Sequence, residues 1–467
     1  MSIPCSNCFG NSLNVNFSEI VSEVYERVIR NGQEEIIDVI KEVDDYILKV
    51  RDKSRFRNKG FRQTTIKTKL GSIQFKRRMY YDKLEKKPAY LLDDVLFPNA
   101  IGLVDEDLCN MICKMICYMP YRKVAETLEK TMGIHISHQQ VWNIVQECGR
   151  RERENIEKLS EQKDKDQLTG DVETEILYEE ADGDYLKLQG EDRKKYGPSK
   201  EMKIGIAYDG VIYHQCKGNK VRRELSNKIA FASFETAHEF RRHNEAVIAS
   251  KFSADEVMLV VKNGDGAQWI QNDNDGECVC VLDKFHRNKK IMECVSDKGI
   301  VKTLNQLLYS KQYQLLLDTI EAYINSMEDP VQIEKMKELY SYYSENFEAL
   351  PGYYERGIEI PETREPGVIH HARLGSMESN VFTLIGNRMK GGRACWSVEG
   401  GNNLAALLCI YHTSKPSFPK ADTDSCESPK PVLSASKIPT TTGKGYEGIK
   451  NCTFPPTLQW MKRITSN

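Results

Sequence analysis

Three acidic stretches have the residue types and the spacing to hold metal ions for phosphodiester chemistry. Glu180-Ala-Asp182-Gly-Asp184 sits in a strand-like run, where a two-residue period puts all three acids on one face and lets one of them reach an ion. Val260-Val-Lys-Asn-Gly-Asp265-Gly closes another such run. The glycines on both sides of Asp265 allow a sharp turn at the end of a strand, where ligand groups gather in open α/β sheets. Gly375-Ser-Met-Glu378 opens a helical run through Val381, Ile385 and Met389 that can lay Glu378 against the sheet. Phosphodiester cleavage asks little covalent help of a protein, but it uses two ions about 3.5 to 4 Å apart to stabilise the attacking and leaving oxygens. Carboxylates suit Mg2+, a hard cation that prefers oxygen. An acid beside glycines is also ordinary turn chemistry. The order strand acid, strand acid, helix acid is what singles these three stretches out.

The elements around these acids alternate. Strand-like runs at Glu175–Glu180, Tyr185–Leu188, Met202–Tyr208 and Ile229–Phe234 precede a helix at Glu239–Phe252, followed by strands at Val257–Lys262 and Cys278–Leu282. This order predicts an α/β catalytic core over residues 173–412, a mixed sheet of the ribonuclease H (RNase H-like) kind. From about 300 to 350 the pattern turns purely helical, with Leu307, Leu308, Leu315, Ile320, Tyr323 and Ile324 as its apolar stripe, and reads as a helical insertion. Residues 413–467, rich in Ser, Thr, Pro and Lys, read as a weakly ordered tail.

Upstream, the expected architecture is a mainly helical DNA-binding region. Ile20, Val21, Val24, Val28, Ile36, Ile37, Ile40 and Val43 make one or two amphipathic helices within residues 1–50. Residues 51–100 hold a basic β-hairpin, Thr64 to Tyr81 about a turn at Leu70-Gly71, with its positive charge displayed outward. Residues 51–87 carry 14 Lys or Arg against 3 Asp or Glu, whereas the whole chain is net −2. Such a split fits a phosphate-binding arm on an acidic body, although it also fits a solvated charged face. Within 101–150, Val124 and Leu128 form one face of a short helix that Met132-Gly133-Ile134 breaks. Ser137 opens a second helix with Gln140 three residues on, a capping-box arrangement, and Val141, Ile144, Val145 and Cys148 continue it. Two short helices across a glycine turn predict a helix-turn-helix. Residues 151–172 read as a charged linker. Expected DNA contacts are Lys76, Arg77 and Arg78 on the hairpin, His138, Gln139 and Asn143 on the second helix, and Arg388 and Lys390 beyond the glutamate helix.

Thr65-Ile-Lys-Thr-Lys-Leu-Gly71 with Arg78-Met-Tyr-Tyr81, Glu180-Ala-Asp-Gly183, Gly264-Asp-Gly-Ala-Gln-Trp-Ile270, Leu282-Asp-Lys-Phe-His286, Glu378 and Gly391-Gly-Arg-Ala-Cys-Trp-Ser397 carry a resemblance. Through these residues, roughly 60 to 400, the chain resembles the ISLre-type bacterial insertion-sequence transposases, which are similar to Mutator-like transposases with a DDE triad. The resemblance selects Asp182 among the first acids, Asp265 as second ligand and Glu378 as third, holding two Mg2+ (or Mn2+) ions. It also sets Asp283 and His286 on an Asp-x-x-His pair, where His286 positions a phosphate or, equally, both residues serve the following helix structurally. The implied function is DNA transposition, with strand cleavage at element ends followed by strand transfer into target DNA. Double-stranded DNA is then the partner, and a homodimer or larger assembly forms on it. The alternatives are a catalytically silent DNA-binding protein and an RNase H-like nuclease without strand transfer.

Other features point to less. Cys5-x-x-Cys8 has no second pair at zinc-finger distance, and His370-His371 read as an exposed loop. Trp269 and Trp396 have the chemistry to stack on bases, but burial is the simpler fate. Cys109, Cys113 and Cys117 recur at helical spacing as core residues. No basic stretch followed by an apolar run opens the chain, and Leu404–Tyr411 is too short to span a bilayer. A cytoplasmic protein with reduced thiols and no membrane partner is expected.

Overall fold

The first helix, α1 (Phe17–Val50), is continuous over 34 residues and capped by the Asn16 side chain. The computed structural model describes residues 16–216, 221–267, 270, 278–361, 367–369 and 374–413. All of them belong to one compact unit, and the readings of Cys5, Cys8, Trp269, His370, His371 and the tail beyond Thr413 lie outside the described residues. Among the described residues no helix is long and apolar enough to cross a membrane.

The second half of α1 covers a hairpin. Strands β1 (Phe56–Thr68) and β2 (Gly71–Asp82), with the short β3 (Lys87–Ala89) and α2 (Leu91–Leu96), bury Ile66, Ile73, Phe75, Tyr80 and Leu92 against Ile40 and Ile47. The expectation that the hairpin shows its charge outward holds for Lys76 and not for its two neighbours. Arg77 is buried, salt-bridged to Asp93 and set 4.0 Å over the Tyr90 ring. Arg78 reaches back to α1, pairing with Asp44 at 3.0 Å and Asp45 at 2.6 Å. A strand that packs one face on a helix turns some of its basic residues inward, and they stay charged there only because acids meet them.

Three helices follow: α3 (Glu106–Ile116), α4 (Tyr121–Met132) and α5 (His138–Lys163). Gly133 ends α4 in the left-handed region at φ 64°, with its N–H and that of Ile134 bonded back to Glu129 and Leu128. Cys109, Cys113 and Cys117 are buried as expected. Ser137 caps α5 through the Gln140 N–H, but the Gln140 side chain does not close a capping box. It instead accepts from the Lys67 ammonium at 2.9 Å and donates to the Gly102 carbonyl at 3.2 Å, tying the hairpin to the helices. The expected linker at 151–172 is largely α5 itself. Its charged residues find partners across the helix: Glu157 meets Arg242 and His243, and Ile156 and Ser160 give the helix a buried side.

The central sheet is mixed. Strands β4 (Ile176–Lys187), β5 (Ser199–Tyr208) and β8 (Ile229–Ser233) form an antiparallel meander, interrupted by α6 (Gly190–Tyr196) and a β6–β7 hairpin (Gly210–Gln215, Val221–Ser226). After α7 (Ala237–Ala249), strands β9 (Leu259–Gly264) and β10 (Cys278–Leu282) run parallel to β4, and the order is β10-β9-β4-β5-β8. The two strand runs expected at 175–180 and 185–188 are thus one strand. The helical insertion is α8 (Lys284–Cys294), α9 (Lys298–Tyr309), α10 (Tyr313–Ser326) and α11 (Pro330–Glu345), with a core of its own around Leu304, Leu316, Ile320, Met336 and Leu339. Strand β11 (Val368–Ile369) adds to β6. Helix α12 (Met377–Val381) continues through a π-helical turn, Phe382–Gly386, to Met389. Helix α13 (Val398–Tyr411), buried from Gly400 through Cys409, packs on α5 and β8.

Candidate metal centre

The register of the parallel strands decides which acids meet. Residue 180 of β4 lies beside 263 of β9, so extending the ladder two residues sets Asp182 beside Asp265, just past the end of β9. On the far side of β9, Leu282 lies beside Gly264, so the chain leaves β10 next to Asp265 and enters α8. His286 sits in the first turn of that helix. One ligand atom from each of Asp182, Asp265 and His286 lies within 4.8 Å of the others, the spacing that a shared ion requires. Two carboxylates and an imidazole suit Mn2+ and, through their oxygens, Mg2+.

Each ligand is held by its own local chemistry. Asp182 is buried in β4, accepts the Gly183 N–H at 2.8 Å and lies 3.4 Å from His286 Nε2. The bond to Asp182 raises the His286 pKa against the opposing effect of burial, with Asp283 and Asp265 adding to the rise. Asp265 accepts the Ala267 N–H at 2.8 Å, and Gly266 takes a left-handed φ of 94°. A side chain at Gly266 would be both strained and crowded, because its Cβ would come within 3.0 Å of Asn346 Oδ1. From α11, Tyr342 donates its hydroxyl to the Asp265 carbonyl at 2.8 Å, so the helical insertion buttresses the ligand loop.

Asp283 serves structure rather than the centre: buried, it caps α8 by accepting the Phe285 and His286 N–H groups. Asn263 donates to Asp283 at 3.1 Å and to Glu180 at 2.8 Å. Glu180 also accepts from the Tyr208 hydroxyl and from the Gly375 and Ser376 N–H groups, which anchors the start of α12 to β4. The polar chain through Tyr208, Glu180, Asn263 and Asp283 thus ties β4, β5, β9, the start of α8 and the start of α12 together beside the cluster. Glu180 and Asp283 stand out in sequence as acids, but only the tertiary contacts show that they are scaffolding.

Glu378 stands apart from the cluster, exposed in the first turn of α12, two residues after the anchor at Ser376. The remaining expected site residues divide. Lys76, His138, Gln139 and Asn143 are exposed, the last two bonded to each other at 3.1 Å, and Trp142 beside them is 42% exposed. Sequence reasoning passed over that tryptophan, although its position between Gln139 and Asn143 on the outer helix face was the signal. Arg388 is a brace: it donates to the Ile116 carbonyl at 2.7 Å and lies over the rings of Tyr121 and Trp396, and burial lowers its pKa. Lys390 is salt-bridged to Asp184. Trp396 is buried and bonded to the Met389 carbonyl, as burial in the core requires.

Comparison with known proteins finds relatives that align along most of the chain. It is 24% identical over 407 residues to a UPF0236 protein of Caldanaerobacter subterraneus subsp. tengcongensis, covering 85% of this chain and 80% of the relative. Another from the same organism, whose name joins eleven loci, is 23% identical over 399 residues, 84% and 77% of the two chains. A UPF0236 protein of Streptococcus gallolyticus, named for the 3' region of vanSb, is 24% identical over 354 residues, 72% and 70% of the two chains. The family model matches residues 11–415, and the chain therefore belongs to the Uncharacterised protein family UPF0236.

Proposed function

We propose that the protein is a metal-dependent DNA strand-cleaving and strand-joining enzyme, a transposase of the DDE kind. The observation that carries this reading is the meeting of Asp182, within β4, and Asp265, just past the end of the adjacent parallel β9, with His286 from the helix after β10. A three-strand antiparallel meander followed by two strands parallel to its first is the strand order of RNase H-like cores, which supports it. So does a relative whose single name covers eleven loci of one genome, the pattern of a gene that copies itself.

Asp182, Asp265 and His286 would hold one Mg2+ or Mn2+. Bound there, such ions activate water and polarise the scissile phosphate. The chain's own residues do the rest. His286, bonded to Asp182, is oriented toward the two carboxylates. Arg57, Arg62 and Lys76 on the exposed hairpin neutralise DNA phosphates. The exposed first turns of α5 offer His138, Gln139, Trp142 and Asn143 to a groove.

The test is cleavage and joining of DNA carrying the element's ends, in Mg2+. Asp182→Asn and Asp265→Ala should each abolish cleavage while DNA binding stays within a few fold. Wild-type cleavage by either variant overturns the assignment, and nicking without joined product favours a nuclease.

A further inference from the structure

The first half of α1 carries an apolar stripe that stays in solvent. Phe17, Ile20, Val21, Val24 and Val28 recur at three- and four-residue spacing on one side of the helix, and they are 76, 43, 50, 41 and 61% exposed. Tyr25 flanks them at 53%. In the second half of the same helix a different apolar face, with Ile40 and Ile47, is covered by the hairpin. A contiguous exposed apolar face of this kind marks a contact surface.

The charges beside the stripe identify its occupant. Glu19 and Glu23 lie toward its start, and Arg27 and Arg30 toward its end, where Glu26 adjoins Arg27. A second copy lying antiparallel sets the acids of each helix near the bases of the other and opposes the two helix dipoles, whereas a parallel copy in register sets like charge on like. We propose that this face of α1 pairs with the same face of a second copy of the chain, the helices antiparallel about a two-fold axis near Val24. A two-fold contact needs only one self-complementary patch. The pairing does not have to drive helix formation, because the hairpin already holds the second half of α1. It is independent of the proposed chemistry.

Sedimentation of the full chain across a concentration series tests this. The wild type should be a dimer. Val24→Glu with Val28→Glu should weaken association roughly tenfold or more, with the helical circular dichroism unchanged. Arg27→Glu with Arg30→Glu should also weaken it, and adding Glu19→Lys and Glu23→Lys in the same chain should restore it. A wild type that stays monomeric at every concentration overturns the pairing, as happens if the chain's own terminal residues cover the stripe. A dimer indifferent to the valine changes overturns it too, and failure of the charge exchange to restore association overturns the antiparallel arrangement.

Discussion

Glu180, in the middle of β4, accepts the backbone N–H of Ser376 through both carboxylate oxygens, at 3.2 and 3.0 Å, across 196 residues of sequence. This contact ties the helix that bears Glu378 to the strand that bears Asp182. In Glu180→Gln an NH2 donor replaces one acceptor oxygen among groups that all donate, at a cost of about 1–3 kcal/mol. The thermal midpoint should fall and amide exchange near Gly375 should quicken. Metal-dependent cleavage should drop more than DNA binding. Unchanged exchange at Gly375 and Ser376 counts against the anchor.

Tyr342 links the helical insertion to the Asp265 loop through one hydroxyl. Tyr342→Phe keeps the ring and removes that bond, a loss of about 1 kcal/mol in stability. Looser placement of Asp265 should weaken Mn2+ binding, measured by calorimetry, by more than the stability change alone accounts for. Equal Mn2+ affinity in the two proteins means that the loop holds itself.

Burial raises the Glu152 pKa to about 7. Its folded value lies above its unfolded one, so the fold favours the neutral acid. That contribution is complete below the ordinary carboxylate range and is lost as pH rises through about 7. Glu152→Gln, a permanently neutral mimic, should therefore match the wild type near about pH 3.5 and exceed it in thermal midpoint near about pH 8.5. A variant less stable than wild type at the higher pH contradicts this environment for Glu152.

Gly149 lies inside α5, where alanine ordinarily gains about 1 kcal/mol. Here the sign reverses, because a Cβ would stand 2.2 Å from the Asn403 carbonyl oxygen, a main-chain atom that cannot swing away. Gly149→Ala should destabilise by about 1–3 kcal/mol through overpacking between α5 and α13. Chemical denaturation measures it, and a stabilised variant shows that the two helices have room to part.

Much of the organisation was legible in the sequence because it is periodic. The strand runs, the helical insertion, the glycine that ends α4 and the Ser137 cap each follow from residues within a turn or a strand of one another. The same local reasoning joined too little at 175–188 and made a linker of the end of α5, since the charges of that helix are satisfied by partners on α7 far along the chain. It also sent Arg77, Arg78 and Arg388 toward solvent, where composition alone puts a basic residue.

Local sequence determined which residues have metal-binding chemistry, and that Asp182 lies in a strand, Asp265 at a strand end and Glu378 at a helix start. The tertiary structure alone decided that Asp182, Asp265 and His286 meet while Glu378 stands outside their cluster, and that Glu180 and Asp283 become scaffolding. The physical reason is register: strand pairing across 83 residues fixes which acid faces which. Charge satisfaction within the buried network then selects the acids that are free to bind an ion.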